Sequence, residues 1–283
     1  MCAKKNIAII GTGLIGGSIA IRLHEMKLSA KLIGVDANPS NAKTALEKEL
    51  VDEILPLDEA IAIADVIILA IPMDEMLTLL PSLLNKVSHQ IVMDMGSTKQ
   101  QLIELVQSHP NRKRYVATHP MWGTEFSGPA AAVRDAFENR AVIICDAEQS
   151  DADALAWVKG MYEKIGMRLL FMTGADHDLH AAYVSHISHI TSFALANTVL
   201  QKEKEESAIF NLASAGFAST VRLAKSNAAM WVPIFLQNKD KILDVLNEHI
   251  EQLMKFRDNI EQQKENELKD LITEANKISR ILQ

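Results

Sequence analysis

The chain predicts an α/β protein, with an N-terminal dinucleotide-binding domain of the Rossmann type over residues 1–173 and an all-helical domain over residues 174–283. Three observations carry that prediction. Short apolar runs alternate with helix-like segments through the first half, the pattern of a parallel sheet with helices on both faces. The first of these runs leads directly into Gly11-Thr-Gly13-Leu-Ile-Gly16. After Thr173-Gly174 no convincing strand recurs, and helix formers dominate.

The elements follow in order. Asn6–Ile10 is an unbroken apolar run of the kind that forms a strand buried on both faces, and Ile19–Met26 then reads as an amphipathic helix. Leu32–Asp36, Asp65–Pro72, Gln90–Asp94, Tyr115–Thr118 and Ala141–Ile144 repeat the strand pattern, with helical spacing between them over Ala42–Leu50 and Met76–Val87. A helix over Asp151–Ile165 and a strand over Arg168–Met172 close the first domain. Beyond it, helices are expected over Asp176–Gln201, Ser207–Leu212 and Asn227–Phe256, with a turn near Gly216. The tail Asn259–Leu282 spreads acids and bases around a leucine/isoleucine face and reads as a solvated helix lying on its own domain. A helical domain of this size suits a homodimer interface.

The glycines each have a task. Gly11 permits a tight turn, Gly13 lets backbone approach a pyrophosphate, and Gly16 lets helix and strand pack closely. Free N–H groups at the start of the following helix then hold the phosphates. Asp36 stands 20 residues after Gly16, where an acid hydrogen-bonds the ribose 2′-hydroxyl. The candidate cofactor site is therefore Gly11, Gly13, Leu14, Ile15, Gly16 and Asp36. An acid at that place repels a 2′-phosphate, so NAD is favoured over NADP, although Asn38 and Ser40 can still donate to a phosphate.

Composition narrows the rest. A formal net charge of −7 without a basic stripe argues against nucleic acid as a partner, and no apolar run reaches membrane-spanning length. Met-Cys-Ala-Lys-Lys leads straight into the first strand, leaving no room for a signal peptide. Two cysteines, Cys2 and Cys145, provide no disulfide framework and fit a reducing cytoplasm; Cys145 reads as a buried strand residue.

The chemistry concentrates in Thr118-His-Pro-Met-Trp-Gly-Thr-Glu-Phe-Ser-Gly128, a loop fixed by Pro120, Gly123 and Gly128. His119 has the pKa range of a general base. Asp94-Met-Gly-Ser-Thr-Lys99 follows a neighbouring strand end, so Ser97 can bond the imidazole or a substrate oxygen, or else cap the next helix together with Thr98. For Lys99 the structural reading is favoured over an anionic ligand. Ser185-His-Ile-Ser-His189 places two histidines on one helical face; as a metal site this lacks further ligands, so no metal is expected and a polar contact to substrate is preferred for at least one of them. His24, His89, His109, His177, His180 and His249 lack such context and read as surface or structural. Arg222, set among small residues, can grip a carboxylate or make a surface ion pair, and Trp231 can wall an organic ring or belong to a core.

Together these motifs resemble the prephenate dehydrogenase family. The resemblance rests on Gly11–Ser18, Gly96-Ser-Thr-Lys99, His119-Pro-Met-Trp-Gly-Thr-Glu125 with Gly128, Ser185–His189 and the Arg222–Trp231 segment, in that order along nearly the whole chain. It implies NAD-dependent oxidative decarboxylation of prephenate to 4-hydroxyphenylpyruvate, in tyrosine biosynthesis. By that analogy His119 accepts the ring-hydroxyl proton while hydride leaves the same carbon, and Ser97 bonds the hydroxyl or orients the imidazole. Arg222 holds a substrate carboxylate, His189 contacts the ligand, and Thr124, Glu125, Ser185 and Trp231 line or gate the pocket. Two positions depart from the family pattern, Trp122 and Phe126. The rival substrate is arogenate, the amino analogue; a catalytically silent NAD sensor is the reading from another class.

Overall fold

A computed structural model describes residues 4–204, 206 and 208–281; Cys2, Ser207 and Leu282 lie outside the described residues. One sheet of eight strands runs through it. These are β1 (Lys5–Ile10), β2 (Ser29–Val35), β3 (Glu53–Ile54), β4 (Val66–Leu69), β5 (Ile91–Asp94), β6 (Tyr115–Pro120), β7 (Ala141–Cys145) and β8 (Arg168–Met172). Their order is β3-β2-β1-β4-β5-β6-β7-β8. From β1 the chain winds outward to β3, then returns to the other side of β1 with β4. That reversal makes the β1/β4 edge a switch point, the place where an open parallel sheet receives ligands.

Alternation along the strands divides the core into two layers. Ile7 and Ile9 of β1 pack with Ile19, Leu23, Val158 and Tyr162 on one face. Ala8 and Ile10 pack with Met76, Leu80, Leu83 and Leu84 on the other. Residues on successive positions face opposite sides of a pleated strand, so a run apolar at every position has to be covered twice. The helices Leu14–Glu25 and Ala152–Ile165 cover the first face, and Met73–Lys86 the second.

Four expectations are corrected. The sheet is not parallel throughout: β7 runs antiparallel to β6, with His119 opposite Ile143, while β8 is parallel to β7. A strand's direction leaves no mark on an apolar run buried from both sides, so the reversal is invisible in the pattern. The expected helix 176–201 is a helix over Gly174–Ala181, a π turn over Ala182–His186 and a helix over Ile187–Glu203. The expected helix 227–256 breaks at Asn238 into Ala228–Gln237 and Lys239–Glu261. Buried Asn238 donates its amide to the Asp178 carbonyl at 2.6 Å and sits 3.2 Å from His186 Nδ1, contacts that hold it out of helical continuation. Near Gly216 the expected turn is a short helix, Ala215–Thr220.

By compactness the chain divides between Asn238 and Lys239. The sheet and the helices up to Asn238 form one unit, so the change from sheet to helix at residues 173–174 falls inside it. The second unit turns from the Lys239–Glu261 helix into Glu265–Ala275 at Gln263, whose φ is +53°. There the Lys264 N–H reaches back to the Asn259 carbonyl at 2.9 Å and closes the helix end. No helix among the described residues is long and apolar enough to cross a membrane.

Candidate active site

The glycine loop is built by backbone. Gly11 has φ +91°, and a Cβ there would lie 2.4 Å from the Ala70 carbonyl oxygen. A Cβ on Gly16 would lie 1.9 Å from the Gly11 carbonyl oxygen, so no larger residue closes this turn. At Gly13 a Cβ would meet nothing within 4 Å. The loop is thus packed tightly beneath and open above, as a pyrophosphate requires. Gly13 starts the Leu14–Glu25 helix without a side-chain cap, and the first-turn N–H groups, those of Leu14 and Ile15 among them, have no intrahelical partner. Asp36, at the end of β2, accepts from Thr12 N at 2.9 Å and Thr12 Oγ1 at 2.8 Å, and from Asn38 N at 2.9 Å. Its carboxylate is therefore pinned beside the loop. These residues fit a nicotinamide dinucleotide.

His119 is positioned from beneath. Asp94, wholly buried at the end of β5, accepts from Tyr115 Oη at 2.7 Å and Thr118 N at 3.0 Å through Oδ1, and from Gly96 N at 2.8 Å through Oδ2. Lys99, equally buried, pairs with the same carboxylate. The Thr118 hydroxyl meets the Asp94 carbonyl and the Tyr162 hydroxyl. A buried carboxylate costs several kcal/mol of desolvation, which a counter-ion and several donors can offset. Here the price is met by locking the ends of β5 and β6 together directly before His119. Lys99 thus bears out the structural reading. Capping by Ser97 and Thr98 does not occur: Thr98 donates to Gln237 at 2.7 Å, and Ser97 bonds no group among the described residues.

The cap comes instead from Asp178, whose carboxylate accepts from Lys99 N at 2.7 Å and Gln100 N at 2.9 Å. Asp178 also accepts from His177 Nδ1 at 2.7 Å, and His177 Nε2 lies 2.8 Å from His119 Nδ1. His177 is 2% exposed, so its reading as an uninvolved surface or structural residue is corrected: it touches the candidate base directly. Burial, then His177, Lys99 and His186, hold the His119 imidazole well below the ordinary histidine range. Burial alone would raise the Asp178 carboxyl, but the His177 bond and the backbone donors outweigh it and hold it low.

The loop after His119 returns to the cofactor side. Val133 N donates to Ser18 Oγ at 3.0 Å, and Arg134 pairs with Glu25 at 2.6 Å, anchoring the loop on the glycine-loop helix. Thr124 Oγ1 accepts from Phe126 N at 3.2 Å, and Phe126 itself is exposed. Trp122 packs edge-on against Phe137 in the first core layer. Glu125 pairs with Arg222 at 3.3 Å, joining this loop to the helical segments. Arg222 remains about half exposed (52%), so its guanidinium is open to a second anion.

Trp231 lies among the helical segments. It belongs to the second core layer and also stacks on His189, with ring centroids 3.5 Å apart. His189 Nδ1 donates to the Ser185 carbonyl at 3.1 Å, leaving Nε2 as an acceptor; burial lowers its pKa, with Arg222 a further cause. His186 meets Trp231 edge-on and is buried, which brings its pKa down to about 4. The indole N–H of Trp231 is buried without a partner among the described residues. Sequence reasoning missed Asp94, His177, Asp178 and Asn238. Only Asp94 left a local signal, an acid ending an otherwise apolar strand.

Comparison with known proteins agrees with this arrangement. The family model described as "Prephenate dehydrogenase, nucleotide-binding domain" matches residues 19–171, and that described as "Prephenate dehydrogenase, dimerization domain" matches residues 173–274. Prephenate dehydrogenase of Bacillus subtilis (strain 168) is 32% identical over 264 residues, covering 92% of this chain and 71% of that protein. Cyclohexadienyl dehydrogenase of Zymomonas mobilis is 30% identical over 263 residues, covering 91% and 89%. Among solved structures, A. aeolicus prephenate dehydrogenase in complex with hydroxyphenyl propionate and NAD+ has a TM-score of 0.87 at 29% identity, covering 99% of this chain and 98% of that one. Synechocystis arogenate dehydrogenase has a TM-score of 0.76 at 28% identity, covering 97% and 99%. The fold and the matches over both halves agree, and the chain belongs to the prephenate dehydrogenase family of oxidoreductases.

Proposed function

We propose that the protein catalyses NAD-dependent oxidative decarboxylation of prephenate to 4-hydroxyphenylpyruvate in tyrosine biosynthesis. The observation that carries this reading is His119, locked at the end of β6 by the Asp94 network, on a loop anchored to the cofactor helix. His119 accepts the proton of the ring hydroxyl; a nicotinamide held by the Gly11–Gly16 loop and Asp36 would supply the hydride acceptor for the same carbon. The carbonyl so formed draws electrons from the breaking carbon–carboxylate bond, carbon dioxide leaves, and the ring becomes aromatic. Ser97, with no partner of its own among the described residues, is free to bond the hydroxyl. Arg222 takes a substrate carboxylate, its guanidinium leaving Glu125 or bridging the two anions, and a doubly anionic substrate gains most from such a clamp. His189 and the unpartnered Trp231 indole N–H offer an acceptor and a donor to the ligand. Thr124 and Ser185 shape the loop and the His189 turn.

NAD is favoured over NADP because Asp36 presents a pinned carboxylate where a 2′-phosphate would have to sit. Arogenate is the second substrate reading, favoured by the likeness to the Synechocystis enzyme. A homodimer through the helical part fits the description of the matching model, and the Lys239–Glu261 helix exposes Leu243, Ile250, Leu253, Met254 and Ile260. We place the enzyme in the cytoplasm, a compartment that suits the free, buried Cys145. The test is NADH formation by purified protein, with prephenate and arogenate in parallel and NADP in place of NAD. Higher kcat/KM with prephenate and NAD is expected; a preference for arogenate reassigns the substrate, and a preference for NADP overturns the cofactor.

A further inference from the structure

His119, His177 and Asp178 form a chain of two hydrogen bonds whose direction is set by the charge on His177. An ionised carboxylate only accepts, so His177 Nδ1 carries the proton in its 2.7 Å bond to Asp178. With His177 neutral, its Nε2 is then a lone pair. That lone pair must accept from His119 Nδ1 across 2.8 Å, which leaves His119 Nε2 unprotonated. The chain is anchored at its far end, because both Asp178 oxygens also accept backbone N–H groups from Lys99 and Gln100. Its middle is sealed, with His177 and Asp178 each 2% exposed.

We propose that His177 and Asp178 are positioning residues that hold His119 in the Nδ1–H tautomer, aim Nε2 at the substrate hydroxyl, and stabilise the imidazolium formed when Nε2 takes the proton. This rests on the proposed reaction for its catalytic consequence. One proton moves, from the substrate oxygen to His119 Nε2; the Nδ1 proton stays between the two rings, and the Asp178 charge acts through the polarised His177. The need for such help is evident from the other groups around His119. Lys99, His186 and a protonated His177 all disfavour a cation there, so His177 helps only as the neutral acceptor, and the Lys99 charge is answered by Asp94. Asp178 is the counter-charge on the remaining side. The π turn at Ala182–His186 follows this element directly, and π turns recur at functional sites.

Nitrogen-15 NMR of the histidine side chains in the full-length protein, without substrate, tests the tautomer; His119→Asn identifies the signal. A lone pair at His119 Nε2 is expected, and a proton there overturns the proposal whatever the substrate proves to be. Kinetics test the consequence. His177→Phe should lower kcat by about 100-fold or more, with NAD binding unchanged. His177→Gln, whose amide can accept from His119 and donate to Asp178, should recover about tenfold of that loss. Asp178→Asn should lower the plateau of kcat/KM and move its acid limb to lower pH, since loss of the carboxylate makes His119 a weaker base. Equal loss in the Phe and Gln variants, or an unmoved limb, contradicts the positioning role. If the wild type turns over neither prephenate nor arogenate, the reaction is wrong and the NMR result alone decides the tautomer.

Discussion

The glycine loop and the His119 cluster sit on the same sheet and are made of different materials. The loop is a backbone site: Gly11, Gly13 and Gly16 act by lacking side chains, and apart from the Ala70 carbonyl beneath Gly11 the features that shape it lie between β1 and Asp36. The His119 cluster is a side-chain site, assembled from Asp94, Lys99, His119, His177 and Asp178, drawn from three separate stretches of chain. A backbone site is fixed by sterics, and Gly11 and Gly16 tolerate no added atom. A side-chain site is fixed by mutual satisfaction of buried polar groups and fails when one partner is lost. The two should therefore break in different ways.

The largest loss of stability is expected at the side-chain site. Lys99→Met leaves the Asp94 carboxylate buried without its counter-ion and should destabilise the fold by about 3–5 kcal/mol, measured by denaturant unfolding. A loss below about 1 kcal/mol would show that the remaining donors to Asp94 suffice. Acid acts on the same region. His186, with a pKa of about 4 against 6.5 for an unperturbed imidazole, stays neutral in the folded state at pH values where the unfolded chain binds a proton. Stability from this group is full above about pH 6.5 and declines as the pH falls towards about 4. Tm should fall across that window in the wild type and fall less in His186→Gln.

Gly16→Ala tests the backbone site. Its Cβ would lie 1.9 Å from the Gly11 carbonyl, and opening the turn should cost roughly 1–3 kcal/mol while weakening NAD binding. The contrast with Lys99→Met is in the readout: the glycine variant should lose cofactor affinity out of proportion to its stability. Arg222→Ala is the mildest structurally, because the guanidinium is half exposed and its partner Glu125 can return to water. Losing a charged carboxylate contact worth roughly 1.5–3 kcal/mol should raise KM by about 10- to 100-fold with little change in Tm. A fall in kcat at unchanged KM would remove Arg222 from the clamp role.

The same contrast explains what could be read in the sequence. Gly11 to Gly16, with Asp36 downstream, is legible because the constraint is local: a tight turn, a close approach and a strand end within one βαβ unit. His119 is legible because Pro120, Gly123 and Gly128 mark its loop as fixed. His177 is not, since its neighbour depends on β7 running antiparallel to β6, a reversal with no signature in a buried apolar run. With that reversal, the Gly174–Ala181 helix starts beside Asp146, which accepts from Gly174 N at 2.9 Å, and carries His177 to His119. The break at Asn238 is hidden for a related reason. Asn is tolerated inside helices, and only its tertiary partners, the Asp178 carbonyl and His186, show that it ends one. Arg222 and Trp231 were found as chemistry without neighbours, and the structure supplies Glu125 and His189.

The most direct test of His119 as the base is His119→Asn, assayed for NADH formation from prephenate alongside calorimetric NAD binding. A kcat at least about 10²- to 10⁴-fold below wild type with the NAD Kd unchanged is expected, because the base belongs to the side-chain site and the cofactor to the backbone site. Turnover within about tenfold of wild type would contradict His119 as the base, and a matching loss of NAD binding would contradict the separation of the two sites.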